Sequence, residues 1–377
     1  MDSEVVLRVS DLARGGAGVS KDESGRVVFI PFTAPGDLVR VRIIEVHKRY
    51  AHAELLEVLE ASAKRQTPPC PAFGVCGGCQ WQHLSYDLQW ETKFKGVLQT
   101  LSRAKVPVPE LCDQIPAERI WEYRNRIQLH GESAKKQGGE KDVLGFFKAK
   151  SRELVPLNRC DIARPELNQI WEEVRAEGRL RTGSTYKVEV EVTPAGEILK
   201  AWDLPHAASG FRQVHDEQNE KLQNWISQAL QPSDLLFDLF GGSGNLSLPL
   251  ASKMKEIHCI DLSAPAQRET SHPNHIHFHQ ESVVKWLLKR AKKPRSHTQA
   301  SAILDPPREG LGASFSEIAS GLEKLGVKEI VAVGCDADAW ARDLGQWVSR
   351  GWKLQRMAVI DLFPQTTHVE SIGLISL

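Results

Sequence analysis

Apolar and polar residues alternate along the first part of the chain, to about residue 60. EVVLRVSDL reads as a strand, GGAG as a turn, and RVVFIPFTAPGD as a second strand closed by a Pro-Gly turn. LVRVRIIEVHKRYAHAELLEVLE supplies at least two more strands, since period-two alternation marks a half-buried strand. Short strands joined by glycine turns predict a small OB-like barrel, an architecture that often binds nucleic-acid strands. Fold alone does not establish that role.

The pattern then changes. WQHLSYDLQWETKFKGVLQTLSR reads as helix, and YRNRIQLHGE, DVLGFFKAKS and TYKVEVEVTP read as sheet. Between them PELNQIWEEVRAEGRL is expected as a helix, with Pro165 suited to its first turn. From about residue 205 strands and helices alternate: LLFDLFGGSGNLSLPLA as strand, glycine loop and helix, then EIHCIDLS, SAILDPPREGL and EIVAVGCDADAWARDL. LQRMAVIDLFP and HVESIGLISL are expected as final strands. This alternation predicts an α/β, Rossmann-like doubly wound sheet with ligands at the carboxyl ends of its strands. The expected domains are 1–62, 63–204 and 205–377.

The chain has 377 residues, 41% hydrophobic and 25% charged, which is ordinary globular composition with room for two or three cores. No apolar run approaches the ~20 residues of a membrane span, so no membrane partner is expected. MDSEVVLRVSDLARGG lacks the basic and apolar segments of a signal peptide. Seven cysteines, an odd number, point to a reducing compartment, and the cytoplasm is expected. Basic and acidic side chains balance at 48 each, so only local patches bear on an RNA partner. Such patches occur at Lys48–Arg49, Lys64–Arg65 and KRAKKPR from Lys289 to Arg295, each readable as a solvated face. Nothing suggests more than a monomer.

Four cysteines carry the sharpest chemistry. Cys70, Cys76 and Cys79 lie in CPAFGVCGGC, and Cys160 follows in NRC. Glycines at 74, 77 and 78 let the loop turn back and aim several sulfurs at one point. A four-sulfur site holds zinc or an iron–sulfur cluster. Zinc sites usually show two C-x₂-C pairs and this chain has one, so the spacing favours the cluster.

A second group falls in the last domain. DLFGGSG, Asp238 to Gly244, sets a glycine turn directly after an apolar strand. It is neither G-x-G-x-x-G nor a Walker loop, and suits a nucleoside cofactor. Asp261 ends the next strand, where a carboxylate can accept ribose hydroxyls. In DPPR the two prolines force a rigid extended exit and hold Asp305 where its strand ends. Cys335 ends EIVAVG, and Glu370 lies on an apolar terminal strand where a carboxylate needs a partner or a purpose.

In combination and order, CPAFGVCGGCQWQHL, NRC, FRQVHDEQNEKL, DLFGGSGNLSLPLA, ILDPPREGL, GCDADAWARDL and DLFPQTTHVE resemble the S-adenosylmethionine-dependent RNA uracil-5-methyltransferases, in the branch with a TRAM domain and an iron–sulfur cluster. The likeness spans essentially the whole chain. It implies an N-terminal TRAM barrel, a central α+β domain carrying the cluster and a C-terminal methyltransferase domain. It implies a 4Fe–4S cluster on Cys70, Cys76, Cys79 and Cys160. Gln213, Phe240, Asn245, Asp261, Ser282 and Asp305 fall on positions that contact S-adenosylmethionine, Cys335 on the nucleophile and Glu370 on the general base. The implied product is 5-methyluridine, in 23S rRNA rather than tRNA because the tRNA branch generally lacks barrel and cluster. A non-catalytic RNA-binding protein on the same fold is the competing expectation. Four departures stand out. Cys335-Asp336-Ala337 replaces Cys-Asn-Pro, and a carboxylate beside the thiol is expected to raise its pKa. Phe240-Gly241-Gly242 replaces Tyr-Cys-Gly, and Gln213-Val214-His215 replaces Gln-Val-Asn. Ser282 also stands where the family has Asp or Asn.

Overall fold

The computed structural model describes residues 4–132, 142–181, 183–204, 212–263, 273–292 and 299–377. The chain divides into two compact units. One comprises Met1–Lys93, Glu118–His206 and Phe363–Thr367; the other comprises Phe94–Ala117, Ala207–Leu362 and His368–Leu377.

The first unit begins with strands β1 (Glu4–Arg8), β2 (Asp11–Leu12), β3 (Gly18–Lys21), β4 (Val27–Ile30), β5 (Leu38–Val46) and β6 (Tyr50–Glu60). They form one sheet in the order β1-β5-β6-β4-β3-β2. The Ser10 amide donates to the Val19 carbonyl and Ser20 Oγ to the Arg8 carbonyl, so the two ends of the sheet approach each other in barrel fashion. Alternate residues point inward: Leu7, Val28, Ile30, Val39, Val41, Ala51 and Ala53 make the core. Buried Asp37 pins the exit, accepting from the Ala34 and Ser62 amides and pairing with Arg65 at 2.6 Å.

After helix Tyr86–Arg103 comes β7 (Leu111–Ile115), which belongs to the second unit. Strands β8 (Arg126–Glu132), β9 (Val143–Phe147), β10 (Leu154–Pro156), β11 (Thr185–Val192) and β12 (Ile198–Trp202) then form a second sheet in the first unit. Its order is β10-β9-β8-β11-β12, antiparallel throughout. The expected helix over PELNQIWEEVRAEGRL is two helices, Pro165–Gln169 and Trp171–Arg179, broken at Ile170. They lay Leu167, Trp171 and Val174 over Ile127, Leu129, Val188 and Val190.

The second unit is built on eight strands. Beyond β7 these are β13 (Ser233–Leu239), β14 (Met254–Asp261), β15 (Ile276–Gln280), β16 (Ala300–Leu304), β17 (Val327–Gly334), β18 (Lys353–Ile360) and β19 (Glu370–Ser376). The order is β15-β14-β13-β16-β17-β19-β18-β7. From β13 to β17 the strands run parallel, and β19 enters antiparallel between β17 and β18. Strands buried on both faces read as continuous apolar runs, as Leu235–Leu239 and Ala300–Leu304 do, with only Asp238 and Ser301 interrupting. Helices Asp216–Ala229, Val283–Arg290, Phe315–Lys324 and Ala337–Ser349 cover the faces with Trp225, Trp286, Ile318 and Trp340.

One expectation fails here. No α-helix follows the glycine turn; the segment is a run of turns ending in a 3₁₀ turn, Leu248–Leu250. Gly242 and Gly244 hold positive φ, and Pro249 withholds an amide, so the chain cannot propagate α-helical bonds. Of KRAKKPR, residues 289–292 are described, and 293–295 lie outside the described residues, as does position 211 of the FRQ motif.

Candidate functional site

In the first unit Cys70, Cys76, Cys79 and Cys160 all line one cavity of about 240 Å³. The other walls include Phe73, Phe146, Leu157 and Ile127, with Arg124 and Arg159 among the polar residues. Backbone and side-chain hydrogen bonds hold the cysteine segments. The Gly77 amide donates to the Phe147 carbonyl and the Ala149 amide to Val75, a short ladder onto the turn after β9. On Cys160, the amide donates to Asn168 Oδ1 while Asn168 Nδ2 returns a bond to the Cys160 carbonyl. Burial pushes the Cys79 thiol up to about 12, and the neighbouring Cys160, Cys76 and Cys70 add to the rise. Cys160 is pushed up to about 11, again chiefly by burial. Four thiols that impede one another's ionisation suit a cationic group that several thiolates share.

Their spacing can be set beside that of a single-ion site. One zinc ion with sulfur bonds of ~2.3 Å in a tetrahedron holds its ligands within about 3.8 Å of one another. Among the described residues the only three metal-binding donors that converge within 4.8 Å are Glu45, His47 and His52, at the β5–β6 hairpin. No three of the four sulfurs therefore lie within 4.8 Å of one another.

In the second unit the named residues collect at the carboxyl ends of parallel strands. Asp238 lies in β13, Asp261 ends β14, Ser282 follows β15, Asp305 follows β16 and Cys335 follows β17. Glu370 opens β19. The β17–β19 register sets Gly334 opposite Ser371, so the next step along the two strands brings Cys335 to Glu370. Burial pushes the Cys335 thiol up to about 12, with the Glu370 and Asp305 charges adding and Arg308 opposing. Asp305 is pushed up to about 7 by desolvation and by Asp238 and Asp261. Buried Glu370 lies well above the usual carboxylate range, from burial and then from Asp305. Asp238, wholly buried, is pushed up to about 6 by burial, against an opposing hydrogen bond from Ser247.

Asp336 does not act on the thiol as expected. Its carboxylate turns into the following helix and caps it, accepting from the Asp338 and Ala339 amides at 3.0 and 2.9 Å. The groups that raise Cys335 are its burial, Glu370 and Asp305. The departure at this position is an N-cap, which Asp fills as well as Asn.

The glycine turn is built for close approach. Phe240 sits at φ +65°, and a Cβ on Gly241 would overlap the Asp238 carboxylate and Cys259 Sγ. Asp261 accepts from the Gly242 amide at 3.3 Å and from the Ser263 amide and hydroxyl at 2.7 and 2.6 Å. An ionised carboxylate offers about four acceptor sites, so capacity remains for a further donor. The Asn245 side chain is in a reciprocal amide pair with Asn219, 2.9 Å each way. Gln213 is buried, and Ser282 is the N-cap residue of helix Val283–Arg290 without a side-chain cap bond.

Sequence reasoning missed the seat of the segment before Glu370. In the first unit the Gln365 carbonyl accepts from the Gln80 and Trp81 amides, directly after Cys79. Gln89 exchanges side-chain bonds with Gln365: its Nε2 reaches Gln365 Oε1 and its Oε1 accepts the Gln365 amide, both at 3.0 Å. Buried Lys93 donates to the Phe363 carbonyl and Tyr123 Oη to Pro364, both at 3.0 Å. Gln365 holds φ +69°, a costly conformation that these bonds over-determine. The signal was present in PQTTH, a polar run inside an otherwise apolar terminus.

Residues 3–56 match the TRAM domain family. An uncharacterized RNA methyltransferase of Bdellovibrio bacteriovorus is 29% identical over 392 residues, covering 99% of this chain and 95% of that protein. A Histophilus somni protein named 23S rRNA (uracil(1939)-C(5))-methyltransferase RlmD is 29% identical over 428 residues, covering 97% and 94%. In three dimensions the Pyrococcus abyssi tRNA (uracil-54, C5)-methyltransferase, solved with S-adenosyl-L-homocysteine, superposes with a TM-score of 0.72. It is 20% identical and covers 99% of this chain and 100% of that one, a likeness of fold. No helix among the described residues is long and apolar enough to cross a membrane.

Proposed function

We propose that this chain, a member of the S-adenosylmethionine-dependent RNA uracil-5-methyltransferase family in its TRAM-domain branch, methylates carbon 5 of a uridine in 23S rRNA. The observation that carries the reading is the β17–β19 register, which sets one thiol and one buried carboxyl side by side where parallel strands end. Carbon 5 of uracil is a poor nucleophile. Addition of the Cys335 thiolate to carbon 6 would make carbon 5 enolate-like, so that carbon 5 can attack the sulfonium methyl group; with the methyl transferred and the neutral thioether released, Glu370 removes the carbon-5 proton and the thiolate leaves. S-adenosylmethionine supplies the methyl group as a sulfonium. The crevice fits that cation: Asp238, Asp305 and Glu370 all resist ionisation there, and a positive charge among them relieves their repulsion. Gln213, Phe240, Asn245, Asp261, Ser282 and Asp305 are the proposed cofactor contacts. Asn245 acts there through its backbone or by releasing Asn219. The target uracil leaves its stack to reach the crevice.

Cys70, Cys76, Cys79 and Cys160 are proposed to hold a 4Fe–4S cluster, whose chemistry here is to cross-link two distant segments, since methyl transfer moves no net electrons. The protein is proposed to act as a cytoplasmic monomer.

The test is methyl transfer from labelled S-adenosylmethionine to unmodified ribosomal and transfer RNA, with the product mapped by mass spectrometry. 5-Methyluridine at a discrete ribosomal position is expected, absent with Cys335→Ala. Glu370→Gln is expected to stall after addition and leave RNA covalently bound to protein. A product in tRNA moves the substrate, and no product on either RNA from cluster-loaded protein overturns the reading in favour of a non-catalytic RNA-binding protein.

A further inference from the structure

The turn after β9 presents three cations in five residues, Lys148, Lys150 and Arg152. Lys148 faces Glu153 at 3.6 Å, an exposed pair that neutralises little. Lys150 and Arg152 make no ion pair or side-chain hydrogen bond among the described residues, in a chain whose basic and acidic side chains number 48 each. The turn is a built feature. The Lys148 amide donates to Glu153, the Ser151 amide returns to Lys148, and Lys150 takes φ +55° at the tip. Cys76 bridges Lys148 in antiparallel pairing, which locks the turn to the cysteine loop. That approach needs glycine, because a Cβ on Gly77 would lie 3.2 Å from Ala149 Cα and 3.3 Å from the Phe147 carbonyl.

Turn and loop together wall an open cleft of about 790 Å³, lined by Gly77, Gln80, Phe147 and the three cations. The Phe147 ring lies against His130, centroids 4.1 Å apart. Phe147 brings the aromatic side chain to the wall of the cleft, while His130 lines the neighbouring cysteine cavity. Cations lining a groove with an aromatic face in its wall are what a single nucleic-acid strand needs: contacts to phosphate and a surface for a base.

We infer that this cleft binds the sugar–phosphate backbone of a single-stranded stretch of the RNA substrate, with Lys150 and Arg152 on phosphates. The inference rests on the RNA reading above. It assigns the cysteine loop a task besides holding a cluster: it is the second wall of an RNA groove.

The test is fluorescence anisotropy of a labelled single-stranded RNA against the full-length, cluster-loaded protein over a salt series. Each phosphate contact on a single strand contributes a slope of about −0.7 in log K against log salt. Lys150→Ala/Arg152→Ala is expected to weaken binding and flatten the slope by about 1.4. The charge-keeping pair Lys150→Arg/Arg152→Lys is expected to retain the slope, and Lys328→Ala, an exposed cation on β17, to leave it unchanged. Unchanged affinity and slope in the double alanine variant overturns the inference. So does an equal loss with Lys328→Ala. Cluster absorbance and the thermal transition, measured on each variant, separate lost contacts from lost fold. Wild-type methyl transfer on the same RNA is read independently. A missing product with a flattened slope sinks the enzymatic reading alone, and a normal product with an unchanged slope sinks the cleft alone.

Discussion

The Cys335 thiol is the group whose chemistry the surroundings change most legibly. Burial, Glu370 and Asp305 together push it from 9.0 to about 12. At pH 8 that cuts the thiolate fraction by about a thousandfold relative to an ordinary cysteine. The more basic thiolate is the better nucleophile, and a Brønsted coefficient of ~0.4–0.5 over three units returns a factor of about 20. The net expectation is a reaction with a small disulfide reagent about 50-fold slower than for an exposed cysteine, before any steric hindrance. The assay is timed modification across a pH series, followed on the Cys335 peptide by mass spectrometry so that the other thiols do not intrude. The logarithm of the rate is expected to climb with unit slope through pH 10 without levelling. Glu370→Gln removes one opposing charge, so its profile is expected to level at lower pH. Asp336→Asn is expected to leave the profile where it is, because that carboxylate caps a helix. A wild-type profile that levels near pH 9 refutes the reasoning, as does one that moves with Asp336→Asn and not with Glu370→Gln.

Two further expectations concern the first unit. Gln89→Ala strips the buried Gln365 amide and Oε1 of their partners, and leaving such groups unsatisfied costs about 1–3 kcal/mol each. Urea unfolding is expected to show a loss of about 2–4 kcal/mol, with faster amide exchange at 363–367; a loss within about 0.5 kcal/mol contradicts the proposed seat. At Asp37, burial raises the pKa, but hydrogen bonds from Arg65, Ser62 and Ala34 outweigh it and the net shift is downward. Stability from this group is therefore present above the ordinary aspartate value of 3.8 and lost as pH falls through the lower folded value. Asp37→Ala is expected to cost about 3 kcal/mol at neutral pH and to flatten the acid limb of the stability curve; an unaltered limb removes Asp37 from the account.

Local pattern carried much of this molecule. Alternation marked β1 and the strands around it because a half-buried sheet imposes period two on its residues. The continuous apolar runs of β13, β16 and β17 announced a sheet covered on both faces. The four cysteines, the glycine turn and DPPR were legible because each is a short segment whose chemistry or backbone demands those residue types. Other features are local as well, yet show only in the folded chain. Glycine and proline between 241 and 249 favoured turns over the expected helix, a local preference visible only once the hydrogen bonds were known. Asp336 looked like a neighbour of the thiol in sequence, yet its rotamer serves a helix terminus.

The sequence by itself determined which groups are available: one strand-end thiol, one acid on an apolar strand and four cysteines in two separate segments. Tertiary structure decided what they face. The antiparallel insertion of β19 between β17 and β18 brings Glu370 to Cys335, and a sequence cannot state a register between strands that are not neighbours along the chain. The ladder from Gly77 to Phe147 likewise makes one groove of two segments that sequence keeps apart. Side-chain period and turn chemistry are local, whereas pairing, burial and the pKa values they set arise from contacts between distant residues.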